Sequence, residues 1–123
     1  MNANDDATSL AVLEGEWTLS AIEGFDIPAG LRGEPGLSVD SEGRVSGFSG
    51  VNRFSGTLDP DGTGVFRPLA TTRRAGPPDA MALETAFLKA LDSAAAVEGS
   101  EDQVTLSGPD GSAVTLFRVV SGG

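Results

Sequence analysis

Gly43-Arg44-Val45-Ser46-Gly47-Phe48-Ser49-Gly50-Val51-Asn52-Arg53-Phe54-Ser55-Gly56 puts four glycines, two phenylalanines and one Asn-Arg pair into fourteen residues that otherwise read as two strands. Glycine weakens a strand unless the backbone must bend, bulge or approach another group closely. The stretch is therefore either a sharply curved strand pair or a binding loop, and the choice governs both fold and function.

Working outward, Leu37-Ser38-Val39 is a short strand closed by Asp40-Ser41-Glu42-Gly43. That turn chemistry, ending in a glycine suited to a left-handed backbone, predicts a hairpin with 44–48 as the return strand. A second turn near Ser49-Gly50 leads to a strand over 52–58, on which Asn52, Phe54, Gly56 and Leu58 share one face. Asp59-Pro60-Asp61-Gly62 is the next turn and 65–69 the next strand. Pro68, lacking an N–H, marks an edge, a strand end or a bulge there. Nearer the N-terminus, Trp17, Leu19 and Ala21 alternate with Glu16, Thr18 and Ser20, the period of a half-buried strand with Trp17 as core anchor. Phe25 and Ile27 lie in the following loop and are expected to pack back onto the sheet.

After Ala75-Gly76-Pro77-Pro78, residues Ala80, Leu83, Phe87, Ala90, Leu91 and Ala94 recur at helical spacing, with Glu84, Lys89 and Asp92 left for solvent. One helix is predicted, capped by Asp79 and ending at 93–95. A short strand at Val97 and a hairpin of 103–106 with 113–119 across Pro109-Asp110-Gly111 complete the chain. The predicted fold is α+β: a strongly curved antiparallel sheet of seven or eight short strands, a partly open barrel wrapped around one helix. Residues 1–9 are predicted as a disordered tail, 10–120 as a single domain and 121–123 as a frayed end.

Composition narrows the chemistry. A chain of 123 residues with 39% apolar and 21% charged residues is one globular domain. It has no apolar run near the ~20 residues of a transmembrane helix. The absence of cysteine removes disulfides, thiolate nucleophiles and cysteine-based zinc sites. The absence of histidine removes the usual general base and the commonest metal ligand, and there is no tyrosine. A net charge of −10 argues against a nucleic-acid partner and against adsorption to anionic membranes. Residues 1–61 hold eleven acids against three arginines, and residues 62–123 seven acids against five cations. The acidic first half could steer a basic partner. The start, Met1-Asn2-Ala3-Asn4-Asp5-Asp6, is not a signal peptide. A mature secreted form with its leader removed would start in the same way, and a true start at Met1 would make the protein cytoplasmic, so the residues leave the compartment open.

Gly47–Gly56 resembles the Gly-x-x-Gly-Cys-Asn-x-aromatic-x-Gly signature of META domains, the HslJ-like family. Leu69-Ala70-Thr71-Thr72-Arg73-Arg74-Ala75-Gly76-Pro77 is similar to that family's Thr-Arg-Met-Ala-Cys-Pro motif. Glu84, Phe87, Ala90 and Leu91 match its helix pattern, and Leu13-x-Gly15-x-Trp17-x-Leu19 its opening. The resemblance implies a single bent-sheet α+β domain whose structural signature here is Trp17, Gly47, Gly50, Phe54, Gly56, Glu84, Phe87 and Leu91. It implies a lipoprotein or secreted protein of the bacterial envelope linked to heat stress, antibiotic tolerance or motility, with no catalytic residues to carry over. The fold is also similar to that of a lipid-binding secretin pilot protein, which motivates an apolar-ligand hypothesis by analogy. Val51 and Gly76 stand where the two motifs have cysteine. Should those cysteines pair in other members, packing by Val51 replaces the bridge here, and a redox role is disfavoured. With Val51 in that place, the opening stretch reads as the bend.

Four residues are candidates for contact with a ligand or partner. Asn52 and Arg53 either present a polar pair to a ligand or tie down a turn, and the turn is the preferred reading. Thr72 and Arg73, within the only cationic cluster, either bind an anion with the helix N-terminus or pair with carboxylates such as Glu84; at −10 overall, pairing is expected. Asp59-Pro60-Asp61-Gly62 lacks the ligands of a calcium loop. No serine stands at a telling distance from Lys89 and no carboxylate pair is singled out, so no catalytic, metal or cofactor residues are predicted and no cofactor is implied. Phe48, Phe54, Phe66, Phe87 and Phe117 read as core. The expected function is a non-enzymatic binding or interaction domain of META type, a monomer with a protein partner or an apolar ligand. One alternative is a lipid or small-ligand carrier with a groove walled by Val45, Phe54, Leu58, Leu83 and Phe87. The other is an acidic protein–protein adaptor.

Overall fold

Period-two alternation over most of the chain produces eight strands: β1 (Gly15–Ile22), β2 (Gly36–Val39), β3 (Arg44–Phe48), β4 (Arg53–Thr57), β5 (Ala70–Thr71), β6 (Ala96–Gly99), β7 (Gln103–Ser107) and β8 (Ala113–Arg118). One helix, α1 (Pro78–Ser93), lies between β5 and β6. The computed structural model describes residues 12–29, 31, 33–60, 64–100 and 102–119. The tails expected at 1–9 and 121–123, and Asp61-Gly62 of the expected turn, lie outside the described residues.

The strands form one sheet in the order β5-β4-β3-β2-β1-β8-β7-β6, every neighbouring pair antiparallel. The chain meanders from β1 out to β5, crosses as α1, and returns so that β8 pairs with β1. The architecture is α+β with a curved sheet that does not close into a barrel. The loop before β5 is tied to the end of the helix, the Val65 N–H donating to the Ala94 carbonyl (2.9 Å). The concave face and the helix stripe Ala80, Leu83, Phe87, Ala90 and Leu91 bury each other. Trp17, Leu37, Val45, Phe54, Val104, Leu106, Val114 and Leu116 supply the sheet side. Burial of such side chains contributes about 1.5–3 kcal/mol each.

Four expectations are corrected by the structure. The strand expected at 65–69 is an isolated Leu58–Phe66 bridge followed by β5 at Ala70–Thr71. From that bridge to the Ser55–Ala70 pair, one more residue lies on the later strand than on β4, and Pro68 sits in the resulting bulge. The alternation of β1 breaks between Leu19 and Ala21, where the register to β8 shifts, so Ala21 is exposed and Ile22 is buried. The helix cap is Pro77 and not Asp79: Pro78 occupies the first turn, where its missing N–H costs nothing, and Asp79 lies within that turn, favourably placed for the helix dipole. Finally, Phe117 is 49% exposed because Val114 and Leu116 take the inward positions of β8, and Phe48 and Phe66 are half-buried. Phe25 and Ile27 do pack against the core.

Arg118 closes the end of the sheet beneath Trp17. The Trp17 indole N–H donates to the Leu13 carbonyl (2.7 Å), and the Arg118 guanidinium lies 4.3 Å from the centre of the Trp17 ring. Arg118 also donates to the Glu14 carbonyl (3.0 Å), so one side chain ties β8 to the entry of β1. Arg118→Ala is expected to cost about 1–2 kcal/mol in urea denaturation. Fluorescence of Trp17, the only tryptophan, reads the transition directly.

Two hairpin turns are fixed by aspartates. The Arg44 and Glu42 N–H groups donate to Asp40, and the Ser112 hydroxyl and N–H donate to Asp110. The Arg44 N–H, helped by the Glu42 N–H and the Arg44 guanidinium, holds the Asp40 carboxyl below its ordinary value, and Ser112 does the same for Asp110. A carboxylate depressed in the folded state stabilises fully above its unfolded value, near 3.8 here, and that contribution is lost as pH falls through the folded value. On acidification below that point the native chain is therefore expected to converge in stability on an Asp40→Ala variant. Urea midpoints taken over the acid range check this.

Candidate functional site

The β3–β4 hairpin turns over Gly50-Val51, closed by the Ser49 N–H donating to the Asn52 carbonyl (2.9 Å). Gly50 adopts φ +111°, and a Cβ there would lie 3.1 Å from the Leu83 side chain, so glycine lets the turn lie directly on the helix. At Gly47 a Cβ would meet the Gly36 carbonyl and the Phe54 ring at 2.4 Å, so strand β2 and an inward aromatic both press on this position. The signature glycines thus bring a hairpin against α1. Gly56 faces Leu69 in the same way.

That approach places Asn52, only 2% exposed, against Glu84 on the helix. The side-chain amide of Asn52 has two donor hydrogens and an oxygen with two lone pairs, and all are used. Its Oδ1 accepts from the Arg74 N–H (2.7 Å) and the Thr72 hydroxyl (2.9 Å). Its Nδ2 donates to the Arg74 carbonyl (3.1 Å) and to both Glu84 oxygens (2.9 and 3.1 Å). Toward Arg74 the amide behaves as a surrogate peptide group, continuing the β4–β5 ladder after Asn52 has turned inward. Glu84 Oε1 also accepts from the Asn52 N–H (3.1 Å) and the Ser49 hydroxyl (2.5 Å). A carboxylate that pairs with no described cation is thereby held by four neutral donor contacts, and no buried side-chain polar atom among the described residues lacks a partner.

The predicted candidates divide into two kinds. Asn52 and Thr72 belong to this internal network. Arg53 and Arg73 are exposed beside it. The expected pairing of Arg73 with Glu84 does not occur, because Asn52 and Ser49 occupy the carboxylate; Arg73 makes no ion pair with a described residue. The expected groove between sheet and helix is absent as well. Val45, Phe54, Leu83 and Phe87 are each at most 2% exposed, and Phe54 meets Phe87 edge-to-face with centroids 5.9 Å apart. Their own rings and methyls fill the space that a chain would need. Two depressions, each of about 480 Å³ and open to solvent, lie elsewhere: one at the β2–β3 turn by Asp40, Glu42, Leu58 and Arg67, one on the outer face at Ser46 and Ser55. None of the four candidates lines either.

Ser49, fully buried, was not singled out from the sequence, nor was the backbone of Arg74. Ser49 stands just before a glycine, where a hydroxyl reads as ordinary turn chemistry. Its partner is thirty-five residues away on the helix, a distance that no local pattern reports. Val51 and Gly76 are adjacent: a Cβ on Gly76 would lie 3.6 Å from the Val51 Cβ.

A bent antiparallel sheet packed on one helix, with a Gly-x-x-Gly-Val-Asn hairpin locked to a helical glutamate, defines the class. The chain belongs to the META domain family, whose model matches residues 8–121. It is similar to a protein of Burkholderia xenovorans solved by NMR, at 27% identity over 94% of this chain and 89% of that one, with a TM-score of 0.72. A second protein solved by NMR shares the fold at 22% identity over 89% of this chain and 92% of that one, TM-score 0.65. So does a DUF4847 family protein of Bacteroides vulgatus, known from a crystal structure, at 11% identity over 93% and 99% of the two chains, TM-score 0.61. No curated protein matches the chain. Among the described residues, no helix is long and apolar enough to cross a membrane.

Proposed function

We propose that this META domain is a non-enzymatic binding or interaction module serving bacterial envelope or stress physiology. The observation that carries the reading is where its polar signature is spent. Asn52, Ser49 and Glu84 direct their hydrogen-bonding capacity at one another and at the backbone. A catalytic group needs a free face toward substrate and a partner that moves its proton. Here the buried polar groups hold a hairpin to a helix, and the chain contains neither histidine nor cysteine. What remains for recognition is the surface.

The test is affinity capture on the immobilised domain from its native cells, followed by reconstitution with each purified candidate. A partner that binds the isolated domain stoichiometrically supports the reading. Turnover of generic ester, phosphate-monoester or glycoside substrates by the purified chain, abolished by Glu84→Gln or Ser49→Ala in protein that still folds, would overturn it.

A further inference from the structure

The arginines are distributed unevenly by partner. Arg44 pairs with Asp40 and Glu42, Arg67 with Asp59 (3.7 Å), and Arg118 caps Trp17. Arg53, Arg73 and Arg74 make no ion pair with a described residue, although the chain carries eighteen acids. Lys89 on the helix is the other described cation in that condition. The three arginines fall together. Thr72 lies opposite Arg53, its N–H donating to the Arg53 carbonyl (3.0 Å), and Arg73 and Arg74 follow directly. All three side chains are exposed.

The same segment is a margin of the sheet. β5 is the last strand on its side, hydrogen-bonded only to β4. Because the Thr72 N–H points to Arg53, the alternation of an antiparallel ladder turns the peptide groups of Thr71 outward, away from Phe54. The Arg73 N–H likewise donates to no described acceptor. β5 ends at Thr71, and the segment beyond it is tied back at Arg74, where the Asn52 side chain bonds both backbone groups. An open edge and three arginines without an ion pair to a described residue thus lie in one segment, its backbone tied at Thr72 and at Arg74.

We propose that the β5 edge, from Ala70 to Arg74, is a docking site for an extended acidic protein segment that adds a strand to the sheet. The main chain of the incoming segment would pair with the outward peptide groups of Thr71 and Arg73, and its carboxylates would reach Arg53, Arg73 and Arg74. A lone small anion fits less well, since the arginines are spread along an exposed edge and neither depression lies among them. The net charge of −10 does not defeat the site. At physiological ionic strength fields fade over about 8 Å, so the local arginines dominate distant acids. Alternation of side chains along a strand sets every second residue of the segment on one side.

The probe is a short capped peptide alternating valine with glutamate, titrated into the isotope-labelled full chain and followed by amide NMR. Shifts centred on Thr71–Arg74 and Arg53, with slowed exchange at the Thr71 and Arg73 amides, are expected. Arg73→Glu combined with Arg74→Glu alters only exposed side chains and is expected to weaken binding at least about tenfold. A probe N-methylated along its pairing edge should lose binding even though every carboxylate is kept. No shift at millimolar peptide, equal binding of a valine–lysine probe, or shifts confined to the β6 edge would each overturn the proposal. Those outcomes leave the wider interaction reading to its own capture test.

Discussion

Asn52→Ala is expected to cost about 3–4 kcal/mol of folding stability, read as a lowered urea midpoint with an unchanged slope. The substitution takes away two donors and two acceptor sites at once. It strands the Glu84 carboxylate without its amide partner and releases both backbone groups of Arg74. Glu84 is half-buried and Thr72 and Arg74 are exposed, so the released groups can turn to solvent, which keeps the cost below that of an isolated buried charge. Against the roughly 5–15 kcal/mol of a typical domain, the loss is a large fraction. Had Asn52 been a ligand-binding residue on a preformed loop, alanine would leave stability unchanged or raised.

Val51→Cys together with Gly76→Cys is expected to close a disulfide and stabilise the domain by roughly 3 kcal/mol. The Cβ separation of 3.6 Å lies in the range such bonds require. The cross-link would enclose a loop of roughly 26 residues, for which the chain-entropy model gives about 3.5 kcal/mol before native strain is subtracted. The melting temperature of the oxidised variant should exceed that of its reduced form by on the order of 10 °C. A bridge that forms but lowers stability would mean the hairpin and the segment before α1 are not held as described. Glycine at 76 is tolerated in the natural chain because Val51 fills the gap, its methyl carbons 3.0 and 3.1 Å from the position of the missing Cβ.

Much of this was legible beforehand, and most of the failures share a cause. Strand periodicity, the Asp-Gly turns and the helical stripe from Ala80 to Ala94 are local signals, and they located β2, β3, β4, β7, β8 and α1 to within a residue or two. Asn52 was recognisable as a turn residue for the same reason. Where partners are distant in sequence, the reading went astray. Nothing near Arg73 indicates that Glu84 is already taken by Asn52 and Ser49, so opposite charges looked like a pair. Phe117 is a different case: the alternation of Val114 and Leu116 beside it already puts it on the outward face of β8, and its aromatic ring alone suggested core. The supposed groove failed although Val45 and Phe54 do line the concave face and Leu83 and Phe87 the helix stripe against it, because the volume between them depends on how Phe54 and Phe87 meet. β5 was displaced because Pro68 announces a bulge without saying on which side pairing resumes.

The glycines of Gly43–Gly56 bend a hairpin onto α1 so that Asn52 and Glu84 lock sheet to helix. A double-mutant cycle of Asn52→Ala and Glu84→Ala, measured by urea denaturation at neutral pH, tests it most directly. If the two side chains hold each other, removing the second after the first costs little, and the coupling energy should be about 2 kcal/mol or more. Additive losses, agreeing within roughly 0.5 kcal/mol, would show that they act independently and would contradict the lock.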